Sequence, residues 1–191
     1  MTTVKPSGLT YVGNIISDEL HGQLLDWLES KEISAQFFPV KNAQGISSEK
    51  SRLVLHYGYS YDYQNNTTKN TAPPIPKILH RLMDLKDSFS REYFNQCIIN
   101  RYLPGQGINA HSDRLAYGSV IACFTIGGGV EIEFTRRDDT YKIYTEPRSM
   151  YVMEGEARYQ WLHAIRPRKS DPNYGQRKTR YSITFRNVPS K

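Results

Sequence analysis

From residue 96 onward this chain of 191 residues reads as strand after strand, and that succession limits its fold more than any other feature. The runs are Cys97–Leu103, Ser119–Ile126, Val130–Thr135, Asp139–Tyr144, Ser149–Glu154, Tyr159–Ile165 and Thr179–Val188. Short strands at regular spacing, separated by turn residues, favour two packed sheets. The expected fold is therefore mostly β with N-terminal helices (α+β), a double-stranded β-helix or jelly roll. Gly127-Gly128-Gly129 is expected to turn a hairpin, because glycine accepts the positive φ such turns require.

The last run carries an unusual alternation. In a strand, Arg180, Ser182, Thr184 and Arg186 share one face, while Tyr181, Ile183 and Phe185 share the other. The second face suits a core. The first places two guanidiniums roughly 20 Å apart at their Cα atoms, at ~3.3 Å per residue. Arginine is rarely buried without a partner, and its fork fits a carboxylate with two parallel hydrogen bonds. The pair thus suits a small dicarboxylate, or else two exposed cations on a solvated face.

Metal-ligand candidates precede it. His111 and Asp113 lie two residues apart, hence on one face of an extended segment, and His163 stands in a second strand-like run. Two imidazoles and one carboxylate leave coordination positions open, as a non-haem Fe(II) oxygenase requires. A lone His-x-Asp is common by chance; the order His-x-Asp, distant His, paired Arg is not.

The N-terminal half reads differently. A helix is expected after the cap residue Ser17, from Asp18 to about Ser30, with Leu20, Leu24, Leu25 and Leu28 as its apolar stripe. A second is expected from about Pro76 to Phe94, with Ile78, Leu79, Leu82, Met83, Leu85 and Phe89 facing inward. Asn42 to Lys50 reads as loop. Over residues 52–63, Tyr57, Tyr59, Tyr61 and Tyr63 recur at period two, which is either sheet packing or a platform for an unpaired base.

Charge adds a partner class. Net charge is +6, and from Arg158 onward nine basic residues face a single acid, Asp171. Such a focus suits a phosphate backbone, with Arg166-Pro167-Arg168-Lys169 the best placed segment, or is an ordinary solvated surface. Cys97 and Cys123, the only cysteines, do not form a disulfide pattern and are expected to be small buried hydrophobes. No apolar run approaches the ~20 residues that span a bilayer. No basic-then-apolar leader opens the chain, so an intracellular location, cytoplasm and/or nucleus, is expected, away from membranes.

These motifs together resemble the AlkB family of Fe(II)/2-oxoglutarate dioxygenases, clearly from about Arg52 to Arg186. Ile99-Asn100-Arg101-Tyr102-Leu103-Pro104-Gly105 is similar to the family's Asn-x-Tyr segment leading into His-x-Asp. Gly155-Glu156-Ala157-Arg158 with His163-Ala164-Ile165 is similar to its second-histidine segment, and Arg180 to Arg186 to its closing Arg-x5-Arg strand. The tyrosine-rich 54–63 stretch, Pro104 to Ile108 and Glu154 to Trp161 resemble the oxygenase domain of the family member that hydroxylates wobble uridine side chains in tRNA.

The resemblance implies an enzyme using Fe(II), 2-oxoglutarate and O₂. It implies that His111, Asp113 and His163 hold iron, and that Asn100, Tyr102, Arg180, Ser182 and Arg186 hold 2-oxoglutarate. Arg186 would grip the carboxylate beside the keto group and Arg180 the distal one. Ser182 stands where the founding bacterial member has Asn. Tyr59, Tyr61, Arg114, Arg158, Trp161 and Arg166 are the substrate-binding candidates. Trp161, two residues before His163, is expected on the pocket wall or in the core.

The expected substrate is a nucleic-acid base, in tRNA or in alkylated DNA or RNA, unpaired or flipped from its stack. The reaction is either oxidative demethylation or stable side-chain hydroxylation. The alternatives are a protein hydroxylase or demethylase of the same fold, or a non-catalytic nucleic-acid-binding module. One domain is expected over 1–191, with helices and a nucleotide-recognition lid to about 95 and the β-helix over about 96–188. It is expected without flanking RNA-recognition or methyltransferase segments and, with so few cysteines, without structural zinc.

Overall fold

The structure, a computed structural model, describes residues 4–40, 51–62, 67–69, 71–86 and 93–189. The expected loop at Asn42 to Lys50, and the positions of Tyr63 and Phe89, lie outside the described residues. Helices are α1 (Asp18–Glu29), α2 (Lys31–Ser34), α3 (Lys77–Met83) and α4 (Gly155–Tyr159). The first strands are β1 (Leu9–Val12), β2 (Phe38–Pro39), β3 (Leu53–Tyr57), β4 (Ser60–Asp62), β5 (Thr67–Lys69), β6 (Gln96–Tyr102) and β7 (Ile108–His111). There follow β8 (Ile121–Gly127), β9 (Val130–Arg136), β10 (Asp139–Thr145), β11 (Met150–Met153), β12 (Leu162–Ile165), β13 (Ser170–Asp171), β14 (Gly175–Gln176) and β15 (Arg180–Arg186).

Two antiparallel sheets form the jelly roll. The major sheet runs β1-β11-β8-β15-β6-β3-β2 and the minor sheet β10-β9-β12-β7, with β13-β14 and β4-β5 as separate ribbons. Alternation on β15 sorts its residues as the sequence requires. Tyr181, Ile183 and Phe185 enter the outer core beneath α1, with Leu20, Leu24, Leu28, Phe124 and Val152. Full burial of one such leucine contributes roughly 1.5–3 kcal/mol. A second core, between the sheets, gathers Ile121, Val130, Ile132, Phe134, Tyr151 and Trp161. α1 begins where expected: Ser17 Oγ accepts the Leu20 N–H at 3.2 Å, and Asp18 and Glu19 occupy the first turn.

Four expectations change. α3 ends at Met83 and does not reach Phe94, whose ring packs instead on Phe185 at 6.0 Å in the outer core. Gly127-Gly128-Gly129 is no hairpin: β8 lies in the major sheet and β9 in the minor, so the triplet carries the chain between sheets. A side chain at Gly128 would meet Lys178 O at 2.8 Å, and one at Gly129 would meet Tyr144 Oη at 2.6 Å. The β9–β10 hairpin turns instead at Arg137, φ 51°, and Asp138.

The tyrosine run is not one strand. Gly58, at φ +74°, breaks it where a Cβ would lie 1.9 Å from Asn95 O. Tyr57 is buried near Trp27, at 6.2 Å between ring centroids, and only the segment beyond the break turns toward the inner face of the sheet. Tyr159, expected to open a strand, instead closes the helical turn α4, so β12 starts at Leu162. Both cysteines are buried and free, as anticipated.

Candidate active site

Pairing of β15 with β6 and β8 builds the inner face row by row. Arg180 stands opposite Tyr102, Ser182 between Asn100 and Thr125, Thr184 between Ile98 and Cys123, and Arg186 opposite Gln96. The polar side chains of one strand thus meet the Asn and Tyr of its neighbour. Across from them the minor sheet places His163 of β12 directly opposite His111 of β7. Their ring centroids are 4.3 Å apart, and His163 Nε2 lies 3.7 Å from Asp113 Oδ2. A cavity of about 480 Å³ lies between, lined by both histidines, Asp113, Asn100, Ser182 and Arg186 among others.

Electrostatics prepare these groups. Burial would raise the pKa of Asp113, but Arg186, with His163 and His111, brings it down to about 2. Arg186 donates from Nε at 2.8 Å and from Nη2 at 2.5 Å to Asp113 Oδ1. Burial, then the neighbouring His111, pushes His163 down to about 3, so it stays a neutral donor of a lone pair. His111 Nδ1 faces the carbonyl of Asn109 at 2.9 Å. A carbonyl only accepts, so Nδ1 carries the proton and Nε2 keeps its lone pair for a metal. Among the described residues no trio of His, Cys, Asp or Glu stands in closed ligating geometry. His111, Asp113 and His163 are gathered on one cavity, with Asp113 Oδ1 engaged by Arg186.

The arginine pair also fits an anion. Arg180 is 2% exposed, and only its Nη2 has a hydrogen bond, to Thr125 Oγ1 at 3.1 Å. Its Nε and Nη1, and Nη1 of Arg186, are buried without partners. Burial disfavours the charge of Arg180, which leaves a cation short of a counter-charge. Tyr102, 5.7 Å away by its ring, supplies only its π face. Donors left open at both ends of the strand fit a ligand with two carboxylates, and the imidazole pair with Asp113 fits a divalent metal.

Substrate candidates divide. Tyr61 and Arg114 line the cavity, the guanidinium 5.8 Å from the Tyr61 ring centroid. Tyr117, which no sequence signal marked, joins them: its ring lies 6.4 Å from that of Tyr61 and 5.0 Å from the Arg186 guanidinium. Tyr59 is not a lining residue; it sits at the Gly58 break, and its carbonyl accepts from Gln96 Nε2 at 3.3 Å. Trp161 falls outside β12 and is buried between the sheets beneath Arg136, 4.8 Å from its ring, so it does not wall the cavity.

Arg158 is 1% exposed and clamps the loop after His111. It donates to the carbonyls of Asp113 at 2.7 Å, of Gly118 and Tyr117 at 3.4 Å, and of Arg114. Arg166 turns away to fork both oxygens of Glu133 at 2.8 Å. Arg168 pairs with Glu131 and Asp171, and Arg177 with Asp171, all at 2.7 Å. The basic focus is thus partly answered by acids, two of them from β9. Arg52, a lone cation heading an apolar run, also lines the cavity.

Comparison with known proteins agrees with this arrangement. Residues 8–186 match the 2OG-Fe(II) oxygenase superfamily. Mouse tRNA (carboxymethyluridine(34)-5-O)-methyltransferase ALKBH8 is 34% identical over 173 residues, covering 87% of this chain and 25% of that protein. The chain therefore spans about a quarter of the length of that relative. An uncharacterized protein of Acanthamoeba polyphaga mimivirus is 42% identical over 156 residues, 73% of this chain and 74% of the other. Alpha-ketoglutarate-dependent dioxygenase AlkB of Escherichia coli is 28% identical over 147 residues, 70% of this chain and 65% of its own.

Among solved structures, OsALKBH1 superposes with a TM-score of 0.69 at 14% identity, covering 97% of this chain and 99% of that one, a likeness of fold. With the sequence relatives and the matched superfamily beside the geometry, the chain belongs to the 2OG-Fe(II) oxygenase superfamily, in its AlkB family, and is an Fe(II)- and 2-oxoglutarate-dependent dioxygenase that requires O₂.

Proposed function

We propose that this dioxygenase oxidises a C–H bond on a nucleic-acid base, and that its substrate is the side chain of a modified wobble uridine in tRNA. One observation carries the reading: His111, Asp113, His163 and Arg186 converge on a cavity that Tyr61, Tyr117 and Arg114 also line. The 34% identity to a tRNA wobble-uridine enzyme over most of the chain supports the choice of base.

In this reading His111, Asp113 and His163 hold Fe(II). Arg186 receives the carboxylate beside the keto group of 2-oxoglutarate and Arg180 the distal one, while Asn100, Tyr102 and Ser182 supply hydrogen bonds. Bound Fe(II), with 2-oxoglutarate and O₂, supplies the oxidation of C–H to C–OH, and the co-substrate leaves as succinate and CO₂. The chain's own part is placement. Asp113 is held ionised by Arg186, and His163 is held neutral by burial, so neither must change protonation to bind metal. Tyr61 and Tyr117 offer ring faces to an unpaired base, a contact of ~1–3 kcal/mol per base. Arg114 lies where a phosphate can meet it. Ile98, Ile108 and Ile132 give the cavity apolar wall beside its polar groups.

The test is nucleoside mass spectrometry after the full chain acts, with Fe(II) and 2-oxoglutarate, on tRNA and on methylated oligonucleotides. A gain of one oxygen on the wobble uridine is expected. Formaldehyde from methylated oligonucleotides, with tRNA unchanged, replaces this reading with demethylation. His111→Ala should abolish succinate release while leaving the fold intact; full turnover without that imidazole would remove it from the metal site.

A further inference from the structure

The chemistry assigned to the cavity leaves one charged lining side chain unused, Arg52, just before β3. Its backbone is fixed from two sides. The Arg52 carbonyl accepts the Val40 N–H at 3.2 Å, and the preceding carbonyl of Ser51 accepts from Gln106 Nε2 at 3.0 Å. Gln106 Oε1 in turn accepts the Leu103 N–H at 2.8 Å, tying this corner to the end of β6. Pairing of Val54 with Asn100 puts Arg52 on the same inner face, one step diagonally from Asn100. There Arg52 Nε donates to Asn100 Oδ1 at 2.8 Å.

This bond decides which way Asn100 faces. A primary amide has one accepting and one donating end, and a free amide turns either toward an anion or away from it. A guanidinium only donates, so the oxygen must face Arg52. Nδ2 is left without a partner among the described residues, on a side chain that lines the cavity. An N–H₂ group aimed at a carboxylate attracts it; the reversed amide would repel it. Asn100 also stands opposite Ser182, which lies between Arg180 and Arg186 on β15, nearer to Arg180. We propose that Arg52 is a positioning residue for 2-oxoglutarate, locking the Asn100 amide with its donor end toward the co-substrate. This rests on the reading above that Asn100 meets 2-oxoglutarate.

Titration of 2-oxoglutarate into the Mn(II)-loaded full chain tests it without turnover. Arg52→Met should weaken 2-oxoglutarate binding about tenfold, the factor set by losing an oriented bond to a charged group of ~1.4 kcal/mol. Its Mn(II) affinity should stay within about twofold, as no metal ligand is touched. Arg52→Lys keeps a donor and should recover most of the loss. Asn100→Ala should weaken binding by a similar factor, and adding Arg52→Met to it should cost nothing more, because the two act as one unit. In substrate-free succinate formation, KM for 2-oxoglutarate should rise with kcat nearly constant.

Wild-type affinity in Arg52→Met, or additive losses in the double variant, overturns the proposal. A raised KM for tRNA with unchanged 2-oxoglutarate affinity also overturns it and moves Arg52 to the substrate, leaving the dioxygenase intact. Wild-type protein that binds no 2-oxoglutarate overturns the reading of Asn100 as well. Should Arg52→Met fail to fold, Arg52→Ala, which also removes the donor, carries the same comparison.

Discussion

Individual side chains in this protein are set by what surrounds them more than by their type. The family resemblance makes Arg158 a substrate candidate, yet it is spent on four carbonyls of the loop that carries Asp113. Arg158→Met should strand those acceptors at ~1–3 kcal/mol for each that stays buried, so we expect a loss of about 3 kcal/mol or more in urea unfolding. Arg158→Lys, which lacks the planar fork, should recover only part.

His56 gives a pH signature. It is 6% exposed, burial and then Arg186 push its pKa down to about 4, and its Nδ1 accepts the Tyr61 N–H at 3.2 Å. The folded state therefore resists a proton that the unfolded state takes up below about 6.5. His56 costs nothing above that pH; as pH falls from about 6.5 to about 4 it removes stability at up to about 1.4 kcal/mol per unit. Unfolding of His56→Asn across that range should show a shallower decline than the parent. An unchanged slope would mean that the imidazole is solvated.

At the scale of elements, the strand pattern told most of the story because alternation is local. β15 sorted its residues as its sequence implied, and the polar row, of which Ser182, Thr184 and Arg186 line the cavity while Arg180 lies beyond it beside Gly129 and Arg177, was legible from period two alone. What the pattern missed depends on contacts distant in sequence. Gly58 needs its open space because of Asn95, and the glycine triplet crosses between sheets because Lys178 and Tyr144 press on it. Trp161 missed its strand because a helical turn intervened. Tyr117 became a wall residue through a loop shape that no spacing encodes.

Another close approach sets the distance between histidines. A Cβ at Gly107 would fall 2.2 Å from Ile165 O, at the base of the β7–β12 pair that holds His111 opposite His163. Gly107→Ala should push these strands apart, an overpacking effect of ~1–3 kcal/mol. Competition with a chelator should then show metal bound about tenfold more weakly. Unchanged affinity would show that the strands separate elsewhere.

Over the whole molecule, net charge misled more than motif order did. A surplus of +6 and a basic C-terminal stretch pointed to Arg166 as a phosphate contact, but Glu133 and Glu131, remote in sequence, pair with Arg166 and Arg168, and Asp171 pairs with Arg168 and Arg177. Arg166→Ala should change tRNA affinity by less than about twofold, since it mainly trades away an exposed ion pair. Arg114→Ala, at the cavity, should weaken it about fivefold, near the ~1 kcal/mol of a cation against aromatic or phosphate groups. Filter binding at fixed salt separates the two. No helix among the described residues is long and apolar enough to cross a membrane. The motif order from His111 to Arg186 survived folding because each member lies on a strand or just past one.

One ion pair ties the two layers together at the heart of the barrel. Arg186 belongs to the major sheet and Asp113 follows β7, an edge strand of the minor one, so their bond is a rivet through the sandwich. Whatever cargo asks either partner to turn its oxygens or nitrogens elsewhere loosens that rivet, and whatever settles one partner readies the other. With Asp113 on the metal and Arg186 on the co-substrate, as proposed above, linkage requires that loading one change the strength of the other by the same factor, in whichever order they arrive.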